Sequence, residues 1–381
     1  MRNLFSPCRL GPFELANPVV FLPFFTGYAG ADGMVTEPLV RHYKRMAASG
    51  AGLIVVEAAG LRHTASSFVI HAYGPEHLPG LRRLVEAIHA EGSKAVLQIC
   101  HPGRFAFVPG CLAPSAVPPF GMVDLMPKPM TEEDMELVIS DFAESALIAR
   151  EAGFDGVELH GGTGYLLASF LSPRTNTRDD DYGGSVENRA RFPLRVCRAV
   201  RERVGDFPVG YRFLVREYLD GGLSLADGIA AGNLLAEELR PAYFSVTAGT
   251  YECWADMARK KERFGEGYML PEAEAVKKAI PAVPVIAAGL LQSREVCEQA
   301  LAKGMADAIG LGRVLFADPD WLRKTSGAVP GPARACVQCD RCQKQVSTGK
   351  AAFCSRWGKE EKAEVLRGIP EERFAAAPSE G

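Results

Sequence analysis

Eight short apolar segments alternate with longer stretches of helical periodicity, and this alternation limits the fold more than any other feature of the chain. The helical stretches include residues 131–152 and 186–204, where apolar side chains recur every three or four positions. Near-continuous apolar strands that alternate with helices are typical of a parallel sheet covered on both faces. Eight such units favour a closed (β/α)8 TIM barrel over a doubly wound open sheet. The predicted strands span residues 19–21, 53–56, 95–98, 157–159, 209–213, 243–246, 285–288 and 306–310.

The composition is that of an ordinary globular protein and argues against several functional classes. The chain has 381 residues, 47% of them hydrophobic, and a formal net charge of −3. This balance offers no electrostatic attraction for nucleic acid or for an anionic membrane. No stretch approaches the roughly 18 apolar residues of a transmembrane helix, and the amino terminus lacks a secretory apolar region. We therefore expect a cytoplasmic protein with no membrane or nucleic-acid partner. The sequence leaves open whether the protein forms a homo-oligomer.

Polar side chains gather at the ends of the predicted strands, where a TIM barrel places its active site. Gln98 ends the third strand, His160 follows the fourth, and Arg212 lies in the fifth. Thr163 and Tyr165 come just after His160 in a glycine-rich loop. Loops at strand ends are where binding and catalytic groups concentrate. One end of the barrel is therefore predicted to hold the functional site, and the loop of residues 247–266 is predicted to shape its substrate pocket.

Glycines and an arginine follow the last two predicted strands, in the position where such barrels bind phosphate. Gly289 comes after the seventh strand, and Gly312 and Arg313 come after the eighth. Backbone amides and a guanidinium can grip a phosphate dianion. The same residues would also serve as tight turns and a surface charge. The spacing alone leaves these two interpretations open.

Four of the ten cysteines stand close together near the carboxyl terminus, in the pattern C-x2-C-x2-C-x11-C. This close spacing is typical of an iron–sulfur cubane, whereas structural zinc sites more often use two separated pairs of ligands. We therefore predict a [4Fe–4S] cluster, with zinc as the alternative. The chain would then divide into a barrel of residues 1–330 and a carboxyl-terminal segment of residues 331–381. The predicted cluster ligands are Cys336, Cys339, Cys342 and Cys354.

Residues 160–192, HGGTGYLLASFLSPRTNTRDDDYGGSVENRARF, closely resemble the signature of the old yellow enzyme family of FMN-dependent oxidoreductases. The segments VLQICHPGRFA, VGYRF and IGLGRVLFADPDWL are similar to the family's third strand, fifth strand and terminal phosphate-binding segment. The cysteine spacing resembles the iron–sulfur branch that includes 2,4-dienoyl-CoA reductase and trimethylamine dehydrogenase. The resemblance covers nearly the whole chain and implies a TIM barrel that binds FMN.

The resemblance also implies a role for each residue of the site. Gln98 would bind the pyrimidine edge of FMN, and Arg212 would face its N1 and C2 carbonyl, where reduced flavin carries negative charge. His160 would donate a hydrogen bond to a substrate carbonyl oxygen, and Tyr165 would protonate the α-carbon. Thr163 stands where many members have asparagine or histidine as a second, longer donor. The remaining FMN contacts are predicted at Pro23, Phe24, Phe25, Ala58, Gly289, Gly312 and Arg313.

These features together predict an ene-reductase that acts on the α,β double bond of an enoyl or enone substrate, dienoyl and enoyl thioesters included. Hydride would come from FMN, the proton from Tyr165, and electrons through the cluster. NAD(P)H is one candidate electron donor, and a separate donor protein that docks near the cluster is the preferred one. Two alternatives stay open: an oxidative flavoprotein such as a dehydrogenase or demethylase, and an electron-transfer subunit of a larger complex.

Overall fold

A closed barrel of eight parallel strands forms the centre of the computed structural model, which describes residues 3–64, 68–259, 262 and 264–374. The strands are β1 (Cys8–Leu10), β2 (Phe13–Leu15), β3 (Val19–Phe21), β4 (Leu53–Gly60), β5 (Ile70–His71), β6 (Lys94–Cys100), β7 (Leu112–Ala113), β8 (Lys128–Pro129), β9 (Gly156–Gly161), β10 (Val209–Arg216), β11 (Phe244–Ala248), β12 (Val285–Ala287) and β13 (Ala308–Leu311). The barrel runs β3-β4-β6-β9-β10-β11-β12-β13, and pairing of β3 with both β4 and β13 closes it. Each predicted strand overlaps one of these eight, so the TIM-barrel prediction is confirmed.

Helices cover the outside of the barrel, and polar side chains cap the amino termini of the two longest helices. They are α1 (Glu37–Ala47), α2 (Leu78–His89), α3 (Glu132–Ala152), α4 (Leu166–Leu171), α5 (Val186–Val204), α6 (Leu225–Leu239), α7 (Tyr251–Arg259), α8 (Leu270–Ala279), α9 (Arg294–Ala302), α10 (Arg313–Ala317), α11 (Trp321–Thr325), α12 (Arg341–Ser347) and α13 (Lys359–Val365), with short 3-10 turns at Pro75–His77, Gly103–Ala106, Pro119–Gly121, Val123–Leu125 and Glu371–Arg373. Thr131 and Asp134 form a capping box at the start of α3, and Ser185 caps α5. Within the described residues, no helix combines the length and apolarity needed to cross a membrane.

A small antiparallel hairpin, formed by β1 and β2, closes the amino-terminal end of the barrel. Phe13 packs with interior residues such as Val20 and Tyr243 in one buried cluster. At the hairpin turn, a Cβ on Gly11 would lie 2.2 Å from the Ala242 carbonyl oxygen, so only glycine permits this close approach. The side chains at the opposite, carboxyl-terminal end of the strands are left to form a site.

The segment after the barrel returns to its first loop and packs there. Ala352 donates its backbone N–H to the Thr26 carbonyl at 2.8 Å, and the Tyr28 hydroxyl donates to the Ala352 carbonyl at 2.6 Å. Trp357 donates its indole N–H to the Phe316 carbonyl of α10 at 3.1 Å. These bonds hold the cysteine-bearing segment beside the strand ends. The predicted division at residue 330 stays a prediction, since the two parts share this packed surface and residues 375–381 lie outside the described residues.

Candidate functional site

His160 stands at the mouth of the barrel as a neutral imidazole of defined orientation. It is the penultimate residue of β9, where it pairs in register with Arg212 of β10. The Gly162 N–H donates to His160 Nδ1 over 3.1 Å, so Nε2 carries the ring proton. Burial, together with the positive charge of Arg212, lowers the pKa of His160 to about 3. At neutral pH the ring is therefore an uncharged hydrogen-bond donor through Nε2.

Tyr165 lies against His160 with its proton retained. The two ring centroids are 4.7 Å apart, with the planes at 88°. The Tyr165 hydroxyl lies 2.9 Å from the hydroxyl of Tyr251, the first residue of α7. Burial and then the neighbouring Tyr251 raise the pKa of Tyr165 well above its ordinary value. Tyr165 is therefore a protonated phenol whose hydroxyl is oriented by a second tyrosine.

Thr163 lies at the same site, and its backbone has an uncommon conformation, with φ of +54°. Its Oγ1 is buried and makes no hydrogen bond of normal distance and angle to a described residue. The hydroxyl is still near Tyr251: burial raises the pKa of Tyr251, and Thr163 opposes that rise. A buried hydroxyl with spare bonding capacity is suited to receive a ligand.

A buried polar network lies across neighbouring strands beside His160. Gln98 Nε2 donates to Glu158 Oε1 over 2.7 Å, and Arg212 Nη1 donates to Ser245 Oγ over 2.8 Å. Burial raises the pKa of the Glu158 carboxyl, and the charge of Arg212 opposes that rise. Arg212 forms no ion pair with any residue that the structure describes, so its charge is balanced only from a distance. Gln98 and Arg212 thus lie in two polar pairs on the strands that flank His160, and the charge of Arg212 acts on both Glu158 and His160.

The end of the first barrel strand supplies the opposite wall. Pro23, Phe24 and Phe25 are half-buried there, and Phe24 stacks on Phe316 with centroids 4.3 Å apart. Ala58 lies in β4, where the register with β6 shifts between Val56 and Ala59. A bulge of this kind turns the strand at the barrel rim.

The predicted phosphate end follows the adjacent strands β12 and β13. Gly289 has φ of +110°, and a Cβ there would lie 2.8 Å from the Met269 backbone nitrogen. A Cβ on Gly312 would meet Leu22 only at 3.9 Å, so the backbone there is open to a ligand. Arg313 Nη1 pairs with Asp340 at 2.8 Å, which connects this end to the cysteine segment. Packing against Met269 by itself accounts for glycine at 289, and the phosphate roles of Gly289, Gly312 and Arg313 stay predictions.

The four clustered cysteines line one small cavity of about 20 Å³, together with Arg313 and Phe316. Cys339 Sγ lies 3.0 Å from the Ser355 hydroxyl. No three His, Cys, Asp or Glu side chains among the described residues are gathered around one point in the way a single metal ion requires. Four thiols on one cavity match the donor set of a [4Fe–4S] cluster, whose ligands stand further apart than those of one ion. The cluster stays a prediction.

Residues 3–330 match the NADH:flavin oxidoreductase / NADH oxidase family. The chain belongs to this family of FMN oxidoreductases. The NADH oxidase of Thermoanaerobacter brockii is 36% identical over 348 residues, which are 89% of this chain and 53% of that protein. The solved complex of 2-naphthoyl-CoA reductase with 2-naphthoyl-CoA has a TM-score of 0.81 at 27% identity, over 89% of this chain and 54% of its own. Histamine dehydrogenase from Rhizobium sp. 4-9 has a TM-score of 0.80 at 26% identity, over 94% of this chain and 53% of its own. The chain spans about half the length of these relatives.

The barrel mouth of this family member has side chains of the kind that FMN requires. A Cβ on Gly162 would lie within 3.2 Å of side-chain atoms of Arg212, Thr247 and His160, so these groups converge on one point. Thr247 Oγ1 is buried and unpartnered among the described residues. An arginine without an ion pair and a spare hydroxyl beside it suit the electron-rich pyrimidine end of a flavin.

Three contributors to the site were missed or only partly placed from the sequence. The loop of residues 247–266 was expected at the pocket, but nothing in it indicated that Tyr251 bonds to Tyr165, 86 residues away. Glu158 carries one signal in the sequence, because it is an acidic residue between apolar neighbours in a strand. Glu252 carries no local signal, and it binds the buried Arg104.

Proposed function

We propose that this protein is an FMN-dependent ene-reductase, which reduces the α,β C=C bond of an enone or enoyl substrate, dienoyl and enoyl thioesters included. The observation that carries the proposal is the contact between His160 and Tyr165, whose ring centroids are 4.7 Å apart. His160 is a neutral donor through Nε2, and Tyr165 keeps its proton. One residue can therefore polarise a carbonyl while its neighbour protonates a carbon.

Bound FMN would supply the hydride that adds to the β-carbon. His160 Nε2–H donates to the carbonyl oxygen, where negative charge develops, and the Thr163 hydroxyl offers a second donor beside it. Tyr165 gives its proton to the α-carbon, so the double bond gains one hydride and one proton. Tyr251 acts through Tyr165 and is a positioning residue, because its hydroxyl fixes that of Tyr165 at 2.9 Å.

The protonation states favour reduction over the second candidate, an oxidative dehydrogenase. Likeness to histamine dehydrogenase supports that candidate, and likeness to 2-naphthoyl-CoA reductase supports an unsaturated acyl thioester as substrate. Oxidation would need a base that accepts a proton from the substrate. The raised pKa of Tyr165 and the lowered pKa of His160 make a protonated phenol and a weakly basic imidazole, so neither group is suited to that task at neutral pH.

Electrons would reach FMN one at a time through a [4Fe–4S] cluster from an electron-donor protein, or as a hydride transferred directly from NAD(P)H. A groove of about 490 Å³ beside Cys354 supports a protein donor. Arg341 and Lys362 lie over the Phe353 ring in this groove, and neither forms an ion pair with a described residue. Glu371 also lines the groove, so two cations face one carboxylate, and this net positive charge next to a redox centre would attract an acidic partner surface. The cluster ligands would be Cys336, Cys339, Cys342 and Cys354.

The test is anaerobic purification followed by assays of flavin, iron and sulfide, and then single-turnover mixing of the dithionite-reduced protein with an enone. We expect about one FMN and four iron and sulfide equivalents per chain, and reoxidation of the flavin as the saturated ketone forms. Stoichiometric zinc without iron would refute the cluster. If enones do not reoxidise the reduced flavin, and histamine-like amines reduce the oxidised flavin, the protein is a dehydrogenase and not an ene-reductase.

A further inference from the structure

A line of aromatic rings leads from Tyr165 to the surface along the chain that follows β6. Phe105 lies between Tyr165 and Phe107, with centroid distances of 6.1 Å to each. Phe120 lies 5.8 Å from Phe105 and stacks on Phe107 at 6.3 Å, with the planes 15° apart. All of these distances lie in the range of direct ring contact. The rings form a continuous series of contacts from the Tyr165 ring to solvent.

The two outer rings are held at the surface in an unfavourable backbone conformation. Phe107 is 51% exposed and Phe120 is 39% exposed. Their φ angles are +54° and +51°, in the left-handed region that bulky side chains rarely enter. Met122 and Val123 beside them are also exposed. Strained and exposed aromatic residues next to a reaction site point to ligand binding, because packing alone would not keep them there.

A buried ion pair anchors this surface beside Tyr251, the positioning residue of Tyr165. Arg104 is buried and pairs with Glu252, and its guanidinium also donates to the Pro118 carbonyl at 2.8 Å. Glu252 Oε1 accepts the backbone N–H of Phe120 at 2.8 Å. Because Glu252 directly follows Tyr251, one turn of α7 contacts both the Phe120 backbone and the Tyr165 hydroxyl. The fold therefore fixes the position of Phe120 relative to Tyr165, and Phe107 packs against Phe120.

We propose that Phe107 and Phe120, the aromatic clamp, bind the apolar body of the substrate and select unsaturated carbonyls with an aromatic ring at the β-carbon over small enones. The inference rests on the proposed function, which places the reacting double bond beside Tyr165. A separation of 6.3 Å is too small for a third ring to enter between the two. The substrate therefore packs against the pair, and a rigid flat group buries more of both rings than a flexible chain does.

The test compares binding of benzylideneacetone and cyclohex-2-enone to the FMN-loaded protein by calorimetry. The variant is Phe107→Asn with Phe120→Asn, since asparagine adopts positive φ more readily than most residues and keeps the backbone in place. Leu137→Asn is the matched control, because Leu137 is 42% exposed on α3. We expect the variant to weaken benzylideneacetone binding about tenfold or more and cyclohexenone binding less than about twofold, with no effect of the control.

Phe107→Leu keeps apolar volume without a flat face and should weaken benzylideneacetone binding by about threefold, which tests the clamp even if the asparagine variant misfolds. Equal affinity of wild type and clamp variants for benzylideneacetone would overturn the proposal. So would sedimentation data in which the variants only abolish self-association, since the rings would then be a contact between copies of the chain. Benzylideneacetone that binds through the clamp but is not reduced would leave the clamp standing and overturn the ene-reductase instead.

Discussion

Replacing Tyr165 by phenylalanine removes the only proton that the proposed reaction places at the α-carbon. The ring still fits, because the edge contact with His160 does not use the hydroxyl. A positioned general acid contributes about 100-fold to 10,000-fold to rate, so we expect the oxidation of reduced flavin by an enone to slow by that factor. Tyr251 loses its partner at 2.9 Å in this variant, which should cost about 1–3 kcal/mol of stability.

Tyr251→Phe supplies the matched comparison. It removes one neutral hydrogen bond to Tyr165, worth about 1 kcal/mol, so we expect the same step to slow only about fivefold. In the double variant the effect of Tyr251 should vanish, because there is no Tyr165 hydroxyl left to orient. A positioning residue behaves in this non-additive way, whereas two independent proton donors would show additive losses.

Stopped-flow absorbance of the flavin separates the two half-reactions. Reduction of the flavin needs no proton from Tyr165, so that rate should stay within about twofold of wild type in all three variants. If Tyr165→Phe leaves enone-dependent reoxidation unchanged, Tyr165 is not the donor. If Tyr251→Phe is as slow as Tyr165→Phe, Tyr251 is not merely a positioning residue.

Three further predictions follow from other parts of the structure. Burial raises the pKa of Glu57 from its ordinary value of 4.5 to about 8, so the stability that protonated Glu57 contributes is present at low pH and is lost as the pH rises towards 8. In urea titrations, the stability of Glu57→Gln relative to wild type should therefore increase by about 3 kcal/mol between pH 5 and pH 8. A stability difference that does not change with pH would contradict the raised pKa. Gly289→Ala should lower the melting temperature and the FMN content, because its Cβ would meet the Met269 nitrogen at 2.8 Å, whereas Gly304→Ala has open space and should keep its FMN. Cys342→Ser should lose iron and Cys111→Ser should retain it; equal iron in both would place the metal elsewhere.

The fold could be predicted from the sequence because its signals are local. The eight apolar runs and the capping residues Thr131 and Ser185 mark strands and helices within a few positions of each other. A resemblance over residues 160–192 then indicated the family, which the match over residues 3–330 confirms. The ends of strands were less certain: β4 extends to Gly60, beyond the predicted residue 56, because a bulge carries it to the rim.

The sequence by itself determined that polar residues follow the strands and that four cysteines stand together, since both are patterns along the chain. Only the tertiary structure decided how these groups meet. Tyr251 bonds to Tyr165 across 86 residues, and Glu252 binds Arg104 across 148, with no local pattern to mark either pair. The neutral state of His160 likewise depends on burial and on Arg212 from the next strand. Such contacts arise only when the closed barrel brings distant strand ends to one mouth, and there the chemistry of each side chain is set by its neighbours in space.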